Sequence, residues 1–389
     1  MKKLILITAL LISVFSTAQN NPLVDNAQFS VLTIGPGTSL NDAFGHSGFR
    51  VKTSFSDDVY NYGMFDFNAP NFYLNFAKGK LDYYMGASSF KRFKDVYVWQ
   101  NRTIKEQVLN LTPTQKNELY AYLIHNLKPE NKYYAYDFFF DNCATRIRDV
   151  SEKAWHGNLE YKTPETYKEE TFRTLIQNNL EWNSWGSFGI DVALGSVIDT
   201  KATPREYMFL PEFVFQFFEE TTFKTTGEPL VKESHTIYKK REQNSTTSFF
   251  TSPLLVFSIL SIIIIFITYR DFKKTSRSKV LDLILFTITG LIGVLLCFLW
   301  FATDHTATAG NYNVLWAFPL SVFCIMQLLK RNPKKWFIGY LKLLVVMLCL
   351  LTLHWSIGLQ RFAPVLIPLL LALVIRYIYL IWFYATLKE

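Results

Sequence analysis

The chain has 389 residues, half of them hydrophobic and 17% aromatic, and it carries a formal net charge of +8. This length predicts two or three domains. The positive charge does not indicate nucleic-acid binding, because many of the Lys and Arg residues lie in short loops between apolar runs, as in membrane proteins. The 4 cysteines exclude a disulfide framework, since three of them lie within those apolar runs.

The N-terminus has the pattern of a secretory signal peptide. Met1-Lys2-Lys3 is followed by an apolar run over residues 4–15 and then by Ser16-Thr17-Ala18. These are a charged segment, a short hydrophobic segment and a small-residue cleavage site. We therefore assign residues 1–18 to a signal peptide, either cleaved or kept as an anchor, and residues 19–250 to an exported domain.

The exported domain has a mixed pattern of strands and helices. The predicted strands are 28–34, 49–51, 59–67, 81–85 and 97–109, with a hairpin around 54–58. A helix over 70–80 ends at Lys78-Gly79, and another begins at Thr112-Pro113, as N-cap and first helical residue. Weaker patterns indicate helices over 172–180 and 208–218. The polar segment 221–249 is expected to pack loosely.

Five apolar runs follow, each close to the ~20 residues that a helix needs to span a bilayer. They lie at about 252–269, 281–301, 314–329, 336–357 and 363–384, within a transmembrane domain over 251–389. Loops 270–279 and 330–335 are rich in Lys and Arg, and loop 302–312 has neither. Because positive loops stay in the cytoplasm, we predict that both basic loops and the C-terminus are cytoplasmic. The odd number of spans agrees with an exported N-terminal domain.

Two polar features of the membrane part stand out. Loop 302–312 contains Asp304, His305 and Asn311, and it emerges on the predicted outer face. It is either a capped turn between helices or a rim that positions a lipid headgroup or closes over a catalytic site. Arg376 lies within the last apolar run, where we expect its side chain to extend to the cytoplasmic surface rather than line the bundle interior.

Cys143 is the only cysteine of the exported domain and lies in the stretch YDFFFDNCATRIRD, residues 136–149. Asp141-Asn142 can cap a helix that begins at the cysteine, and the positive end of the helix dipole favours the thiolate. Having no cysteine partner in its domain, Cys143 is either a small buried hydrophobe or a functional thiol. Both interpretations stay open on this stretch alone.

A thiol nucleophile needs a base, and His46 in the segment FGHSGFRV is the outstanding candidate. A third group should orient its imidazole. Asn61, Tyr62 and Asp66 on the next strand are candidates, and strand alternation places Asn61 and Tyr62 on opposite faces. The choice between them stays open, with Asn61 taken as a possible orienter.

Further residues are candidates for contacts with the substrate. The N–H groups of Cys143 and Ala144 are candidate oxyanion donors. The residues assigned to substrate binding are Asn142, Tyr62, Arg146, Asp304 and His305. No pair of residues has a metal-ligand spacing such as HxxxH or CxxC, so neither a metal site nor another cofactor is expected.

Several of these segments together resemble a known family. FGHSGFRV, YNYGMFDF, FAKGKLDYYM and FFDNCATRIRD resemble the N-terminal periplasmic domain of the Lnb-type lipoprotein N-acyltransferases of Bacteroidetes. The later segments FGIDVALGSVID, TPREYMFLPE and TDHTATAGNYNVLW are similar to the same family. The resemblance extends over nearly all of the mature chain. It implies that His46 is the base and Cys143 the nucleophile.

The resemblance also implies a reaction and a fold. The reaction is transfer of a fatty acyl group from a membrane phospholipid to the α-amino group of a diacylglyceryl-cysteine lipoprotein. The implied fold class is α+β, with a papain-like (NlpC/P60-like) exported domain followed by five transmembrane helices. Since the histidine precedes the cysteine, the papain-like core would be circularly permuted. The protein would be a multi-pass inner-membrane protein with a periplasmic N-terminal domain, and nucleic acid is not an expected partner.

Two alternatives use the same residues differently. A membrane-anchored papain-like cysteine peptidase or amidase would direct the Cys143–His46 pair at a peptide bond. A non-enzymatic membrane assembly protein would not need the thiol at all. Replacement of Cys143 separates the enzymes from the assembly protein, and an acyl adduct on Cys143 separates the transferase from the peptidase.

Overall fold

The computed structural model describes residues 22–66, 68–80, 82–242, 249–330 and 332–386. The chain divides into two compact units. The first, called here the sheet unit, comprises residues 1–67, 82–167 and 204–241, and the second, the helical unit, comprises 68–81, 168–203 and 242–389. The predicted boundary at residue 250 divides the chain differently, because segments 68–81, 168–203 and 242–250 of the predicted exported domain belong to the helical unit. The predicted signal peptide lies outside the described residues.

The sheet unit is built on an antiparallel sheet of seven strands in the order β6-β4-β3-β2-β1-β5-β9. These strands are β1 Gln28–Ile34, β2 His46–Lys52, β3 Asp57–Met64, β4 Asp82–Ser89, β5 Ile104–Leu109, β6 Tyr133–Ala135 and β9 Val231–Tyr238. Strands β7 Leu159–Glu160 and β8 Thr222–Phe223 form a separate pair. The predicted hairpin of β2 and β3 is confirmed, and it brings the start of β2 beside β3.

The helices of the sheet unit surround this sheet. They are α1 Pro22–Asp25, α3 Phe90–Trp99, α4 Pro113–Leu127, α5 Cys143–Ala154, α8 Pro204–Tyr207 and α9 Pro211–Glu220. The predicted start of α4 is confirmed, since Thr112 and Gln115 form a reciprocal capping box. Helix α5 contacts β2 and β3, and its buried face includes Ala144, Ile147 and Val150. The first residue of α5 therefore lies against the strands that carry His46 and Asn61.

Two predictions for the sheet unit were wrong. The predicted strand 97–109 is strand only from Ile104, because residues 97–99 end helix α3 and 100–103 connect the two elements. Ser89 caps α3, which places Phe93 and Tyr97 on one face, four residues apart. The polar segment after residue 221 is not loosely packed throughout, because β9 pairs with β5 at the edge of the sheet. Most side chains of β9 are exposed, so main-chain pairing rather than hydrophobic alternation determines this strand.

Within the described residues, the helical unit contains four helices that are long and apolar enough to cross a membrane. They are α10 Pro253–Lys273, α11 Lys279–Phe301, α13 Trp336–Ser356 and α14 Ile367–Thr386, the last preceded by a 3-10 turn at Pro364–Leu366. The shorter helices of this unit are α2 Phe72–Lys78, α6 Phe172–Gln177, α7 Trp185–Ala193 and α12 Ser321–Leu328, with 3-10 turns at Ser196–Asp199, Phe249–Thr251, Thr306–Thr308 and Tyr312–Leu315. These helices account for four of the five predicted spans.

The third predicted span, 314–329, is not a continuous helix. It consists of the 3-10 turn Tyr312–Leu315, a break around Pro319 and the 8-residue helix α12. A helix of that size is about 12 Å long, far less than the ~30 Å of a bilayer core. The count of five membrane-spanning helices is therefore not confirmed.

This broken segment nevertheless lies along α11. A Cβ atom at Gly293 would lie 1.9 Å from the carbonyl oxygen of Ala317, and one at Gly290 would lie 2.7 Å from the amide nitrogen of Val322. Further on, the guanidinium of Arg277 donates to the carbonyl of Leu328 at 2.8 Å. Glycines in the middle of α11 thus allow the backbone of the segment to approach closely, and its end lies near the start of α11.

The expected exposure of Arg376 at the cytoplasmic surface was wrong. Its side chain is fully buried, and Nε donates to Asp282 at 2.7 Å while Nη1 donates to Asp271 at 2.9 Å. These contacts join α14 to α11 and α10. A buried arginine in a membrane helix needs such partners, because an unpaired charge there is far more costly than a paired one.

Candidate active site

Asn142 holds Cys143 at the first position of α5. Its side-chain oxygen accepts hydrogen bonds from the amides of Ala144 and Thr145 at 2.8 and 2.9 Å. Its side-chain nitrogen donates to the carbonyls of Phe138 and Phe209 at 2.6 and 2.8 Å. The side-chain amide of Asn142 therefore caps helix α5, and its contact with substrate stays a prediction.

His46 and Asn61 meet at the edge where β2 begins. The His46 Nε2 atom lies 3.3 Å from Asn61 Oδ1, which is the contact expected of an orienting residue. If Nε2 carries the proton that this oxygen accepts, the other ring nitrogen has a free lone pair. Tyr62 follows on the opposite side of the strand, where its hydroxyl accepts a hydrogen bond from Asn126 at 3.0 Å. Of the two residues separated by strand alternation, Asn61 is therefore the one that contacts the imidazole.

Cys143 lies beside the same strands. The backbone N–H of Ser47, the residue after His46, points to the cysteine sulfur. On the neighbouring strand, a Cβ atom at Gly63 would lie 3.5 Å from the Cβ of Cys143. Helix α5 and strands β2 and β3 thus bring the predicted nucleophile, base and orienter into one cluster.

The Cys143 thiol and the His46 imidazole are both uncharged at rest. Burial raises the pKa of Cys143 to about 11, against the opposing effects of the N–H groups of Ser47, Ala144 and Cys143 and of Arg102. Burial also lowers the pKa of His46 to about 4, and Arg102 lowers it further while Asn61 acts in the opposite direction. The expectation that the helix N-terminus favours a thiolate was wrong for the resting protein, because burial outweighs the nearby N–H groups.

Tyr134 is a site residue that the sequence did not reveal. A Cβ atom at Gly63 would lie 3.9 Å from the Cys143 amide nitrogen and 4.0 Å from the Tyr134 hydroxyl, so these two groups converge on one point. The hydroxyl is buried, the backbone N–H of Gly63 points to its oxygen, and its own O–H has no acceptor within the described part of the chain. Tyr134 lies on the three-residue strand β6 in a tyrosine-rich segment, where no motif distinguishes it from its neighbours.

The predicted oxyanion donors change accordingly. The amide of Ala144 is occupied by Asn142, so it does not serve as predicted. The amide of Cys143 stands at the first helical position and has no acceptor within the helix. The available donors beside the thiol are therefore the Cys143 amide and the Tyr134 hydroxyl. Burial raises the pKa of Tyr134, which keeps this hydroxyl protonated.

Arg146 and Tyr62 surround Tyr134. The guanidinium of Arg146 lies 4.1 Å from the centre of the Tyr134 ring and is held by Asp141, with Nη2 at 2.6 Å from Oδ2. The Tyr62 ring meets the Tyr134 ring edge-on at 6.2 Å. Both were predicted to bind substrate, but their contacts are with Tyr134, whose position they stabilise.

Asp304 and His305 lie in the helical unit and contact helix α2. The His305 Nε2 atom is 2.9 Å from the carbonyl oxygen of Phe76, and the Asp304 amide donates to the carbonyl of Lys78 at 2.9 Å. The Asp304 carboxylate itself is exposed and lies 3.8 Å from Lys80 Nζ. Contact of Asp304 and His305 with substrate stays a prediction.

The rest of loop 302–312 holds the segment after α7. Asn311 donates to the carbonyls of Val192 and Ala193 at 2.8 and 3.0 Å, and the amide of Gly195 donates to the carbonyl of Ala307 at 2.9 Å. A Cβ atom at Gly195 would lie only 1.8 Å from the carbonyl oxygen of Ala309. The loop is therefore a closely packed junction within the helical unit.

The groups at the cluster around Cys143 are one thiol, one imidazole, amides and a phenol. Within the described ranges, no three His, Cys, Asp or Glu side chains are grouped in a way that would hold a metal ion. The chemistry available there is thus nucleophilic attack by sulfur, proton transfer by the imidazole and hydrogen bonding to an oxyanion.

Comparison with known proteins identifies the family. Residues 15–178 match the Lnb N-terminal periplasmic domain, and residues 243–388 match the Lnb transmembrane domain. No curated protein matches the chain, and no solved structure does. The two matches follow one another in the order of the Lnb two-domain architecture. The chain therefore belongs to the Lnb family, which implies an inner-membrane protein with a periplasmic N-terminal domain and a function related to lipoprotein N-acylation.

Proposed function

We propose that this protein is a lipoprotein N-acyltransferase that works through a thioester on Cys143. The acyl donor is a membrane phospholipid, and the acceptor is the α-amino group of a diacylglyceryl-cysteine lipoprotein. The observation that carries the proposal is the cluster of a half-buried thiol at a helix N-terminus, a histidine held by Asn61, and two hydrogen-bond donors beside the sulfur. A thioester suits this acceptor because it is reactive enough to acylate an amine.

In the first half-reaction the donor ester is opened. Since the thiol and the imidazole are both neutral, His46 takes the thiol proton as the sulfur attacks the ester carbonyl. The Cys143 amide and the Tyr134 hydroxyl bind the oxyanion of the tetrahedral intermediate. The carbon–oxygen bond then breaks, His46 donates its proton to the leaving lysophospholipid oxygen, and the acyl group remains as a thioester.

In the second half-reaction the lipoprotein amine attacks the thioester carbonyl. His46 accepts a proton from the amine, and the same two donors bind the second oxyanion. The carbon–sulfur bond breaks, the sulfur leaves and recovers its proton from His46, and an amide forms on the lipoprotein. A base that is neutral at physiological pH serves both half-reactions without prior deprotonation.

The fold and topology that we propose place this chemistry at a membrane. A cysteine at the start of a helix packed on an antiparallel sheet, with a histidine at a strand edge, supports a circularly permuted papain-like core. We further propose five crossings, the third being the broken segment 312–329 that follows α11. The basic loops support a cytoplasmic C-terminus. The phospholipid donor is part of the membrane and the lipoprotein acceptor is anchored in it, so a membrane-bound enzyme can bind both at the membrane surface.

The test is the acylation state of lipoprotein N-termini in cells whose only copy of this protein is wild type or Cys143→Ser. We expect triacylated lipoprotein with the wild type and only the diacylated form with Cys143→Ser. Cys349→Ser, which changes an exposed cysteine of α13, is the matched control and should behave as wild type. Triacylated lipoprotein in the Cys143→Ser cells would refute the proposal. Loss of a peptide cleavage, with N-acylation unchanged, would instead favour the peptidase alternative.

A further inference from the structure

Arg102 is a buried arginine that forms no ion pair with a carboxylate within the described residues. Its side chain is 4% exposed, Nε donates to the carbonyl of Gly35 at 2.9 Å, and Nη1 donates to Gln100 at 3.2 Å. Its Nη2 atom is buried and has no hydrogen-bond partner among the residues that the structure describes. Burial of a cation without an opposite charge is unfavourable. An arrangement of this kind therefore suggests that a negative charge arises nearby.

The other deeply buried arginines differ from Arg102 in this respect, because each forms an ion pair. These pairs are Arg50 with Asp57 and Glu106, Arg148 with Asp149, Arg173 with Asp191 and Asp199, and Arg376 with Asp271 and Asp282. Buried arginines elsewhere in the fold are thus paired with carboxylates, whereas Arg102, beside the candidate active site, is not.

Contacts connect Arg102 to the catalytic cluster. The guanidinium lies 4.9 Å from the centre of the Tyr97 ring, and that ring stacks on His46 at 6.1 Å. Gly35, which accepts from Arg102, follows Ile34, and Ile34 pairs with His46 across β1 and β2. The charge of Arg102 acts on both His46 and Cys143.

We propose that Arg102 is a positioning residue that acts through Cys143, as the permanent cation that stabilises the negative charge formed on the sulfur and then on the oxyanion. The role rests on the proposed function of Cys143 as nucleophile. In a partly buried site, water and salt screen the attraction between two opposite charges less than they do in solution. The positive charge of Arg102 can therefore stabilise a negative charge that lies several ångströms away. A carboxylate in direct contact with Arg102 would cancel much of this effect; Asp42 acts on Arg102 from a distance, and the hydrogen bonds of the guanidinium go to Gly35 and Gln100.

Other titratable groups around the thiol do not supply this charge. His46 on β2 is neutral, and burial raises the pKa values of Tyr97 on α3 and of Tyr134 and Tyr136. Asp42, in the loop before β2, acts on Arg102 and Tyr97. The Asp141–Arg146 pair on the far side of Tyr134 is internally balanced.

The test is the pH dependence of Cys143 alkylation by iodoacetamide in the full-length protein, followed by mass spectrometry of the Cys143 peptide. Loss of the cation in Arg102→Gln should raise the pKa of the thiol and slow alkylation at neutral pH about tenfold, the effect of one pKa unit. Arg102→Lys keeps the charge and should stay near the wild type. Arg92→Gln, which changes an exposed arginine of α3, should leave the profile unchanged.

The possible outcomes separate charge from packing. If Arg102 only fills space, its loss admits water, and the thiol pKa falls from about 11 towards the ordinary value of 9.0, because burial is the main cause of its elevation. A lower thiol pKa in an Arg102→Gln variant that thermal unfolding shows to be folded would overturn the proposal. An Arg102→Lys variant whose alkylation profile matches that of Arg102→Gln would overturn it as well. If Arg102→Gln does not fold, the Arg102→Lys profile decides alone.

The same variants distinguish the proposed role of Arg102 from binding of the phospholipid phosphate by Arg102. In the latter case Arg102→Gln leaves alkylation unchanged and weakens thioester formation only with phospholipid donors, while a neutral ester without phosphate reacts as in the wild type. That pattern would refute the role of thiolate counter-charge. Because alkylation needs no acyl transfer, a failure of this proposal is distinguishable from a failure of the proposed function.

Discussion

At the scale of single residues, the central feature is a thiol and an imidazole that are both neutral at rest. Burial is the main cause of both pKa shifts, and it acts on the charged form of each group. In the proposed mechanism, the charge forms only when His46 takes the proton during attack on the substrate.

The first prediction concerns the acid limb of the reaction. Because burial lowers the pKa of His46 to about 4, the base form is present from neutral pH down to that value. The rate of thioester formation, measured as kcat/KM against pH, should therefore fall only as the pH approaches about 4. An acid limb near the ordinary histidine value of 6.5 would show that the imidazole is not buried as described.

The second prediction concerns Tyr134. Tyr134→Phe removes one of the two oxyanion donors and should lower kcat for thioester formation by roughly 10²-fold, with KM nearly unchanged. Tyr133→Phe changes the exposed neighbour on the same strand and serves as the control. Equal activity of the two variants would remove Tyr134 from the oxyanion site.

Some of these residues were accessible from the sequence and others were not. Asn142 before Cys143 predicted the helix start, and strand alternation separated Asn61 from Tyr62. Tyr134 and Arg102 could not be found in this way, because their importance depends on which partners they lack in three dimensions. Asn142, Arg146 and Tyr62 contact neighbouring protein groups in the structure, and their predicted contact with substrate stays a prediction.

At the scale of elements, local signals predicted some segments and tertiary contacts decided others. The capping box at Thr112 is a local signal and gave the correct helix start. Strand β9 has exposed polar side chains and exists because β5 offers an unpaired edge. The break in the third apolar run was hidden because mean hydropathy does not show where backbone must approach backbone, as it does at Gly293.

The third prediction tests that close approach. Gly293→Leu places side-chain atoms where the Ala317 carbonyl lies and should destabilise the full-length protein and lower its yield in the membrane. Gly339→Leu is the matched control on α13, because no atom lies within 4 Å of its Cβ position. Thermal unfolding in detergent compares the two variants. Equal melting temperatures would contradict the packing of the broken segment on α11.

At the scale of the whole molecule, the count of crossings depends on the broken segment. The fourth prediction uses single cysteines in a background whose native cysteines are serine, labelled in spheroplasts with an impermeant maleimide. Thr306→Cys should react directly, and Lys274→Cys and Lys335→Cys only after permeabilisation. Labelling of Lys335→Cys from outside would mean that the segment turns back within the membrane and that the chain crosses it four times.

We propose that the whole molecule acts as an acyltransferase that binds its substrates from the membrane and carries the acyl group on one sulfur. Its most direct test is the mass of the purified full-length protein after incubation with phospholipid vesicles and no lipoprotein. The account predicts a fatty acyl adduct on Cys143 that neutral hydroxylamine removes and that disappears when diacylated lipoprotein is added. The Cys143→Ser variant should show no acyl adduct that neutral hydroxylamine removes. An adduct located on another residue, or one that persists when the acceptor is added, would contradict the account.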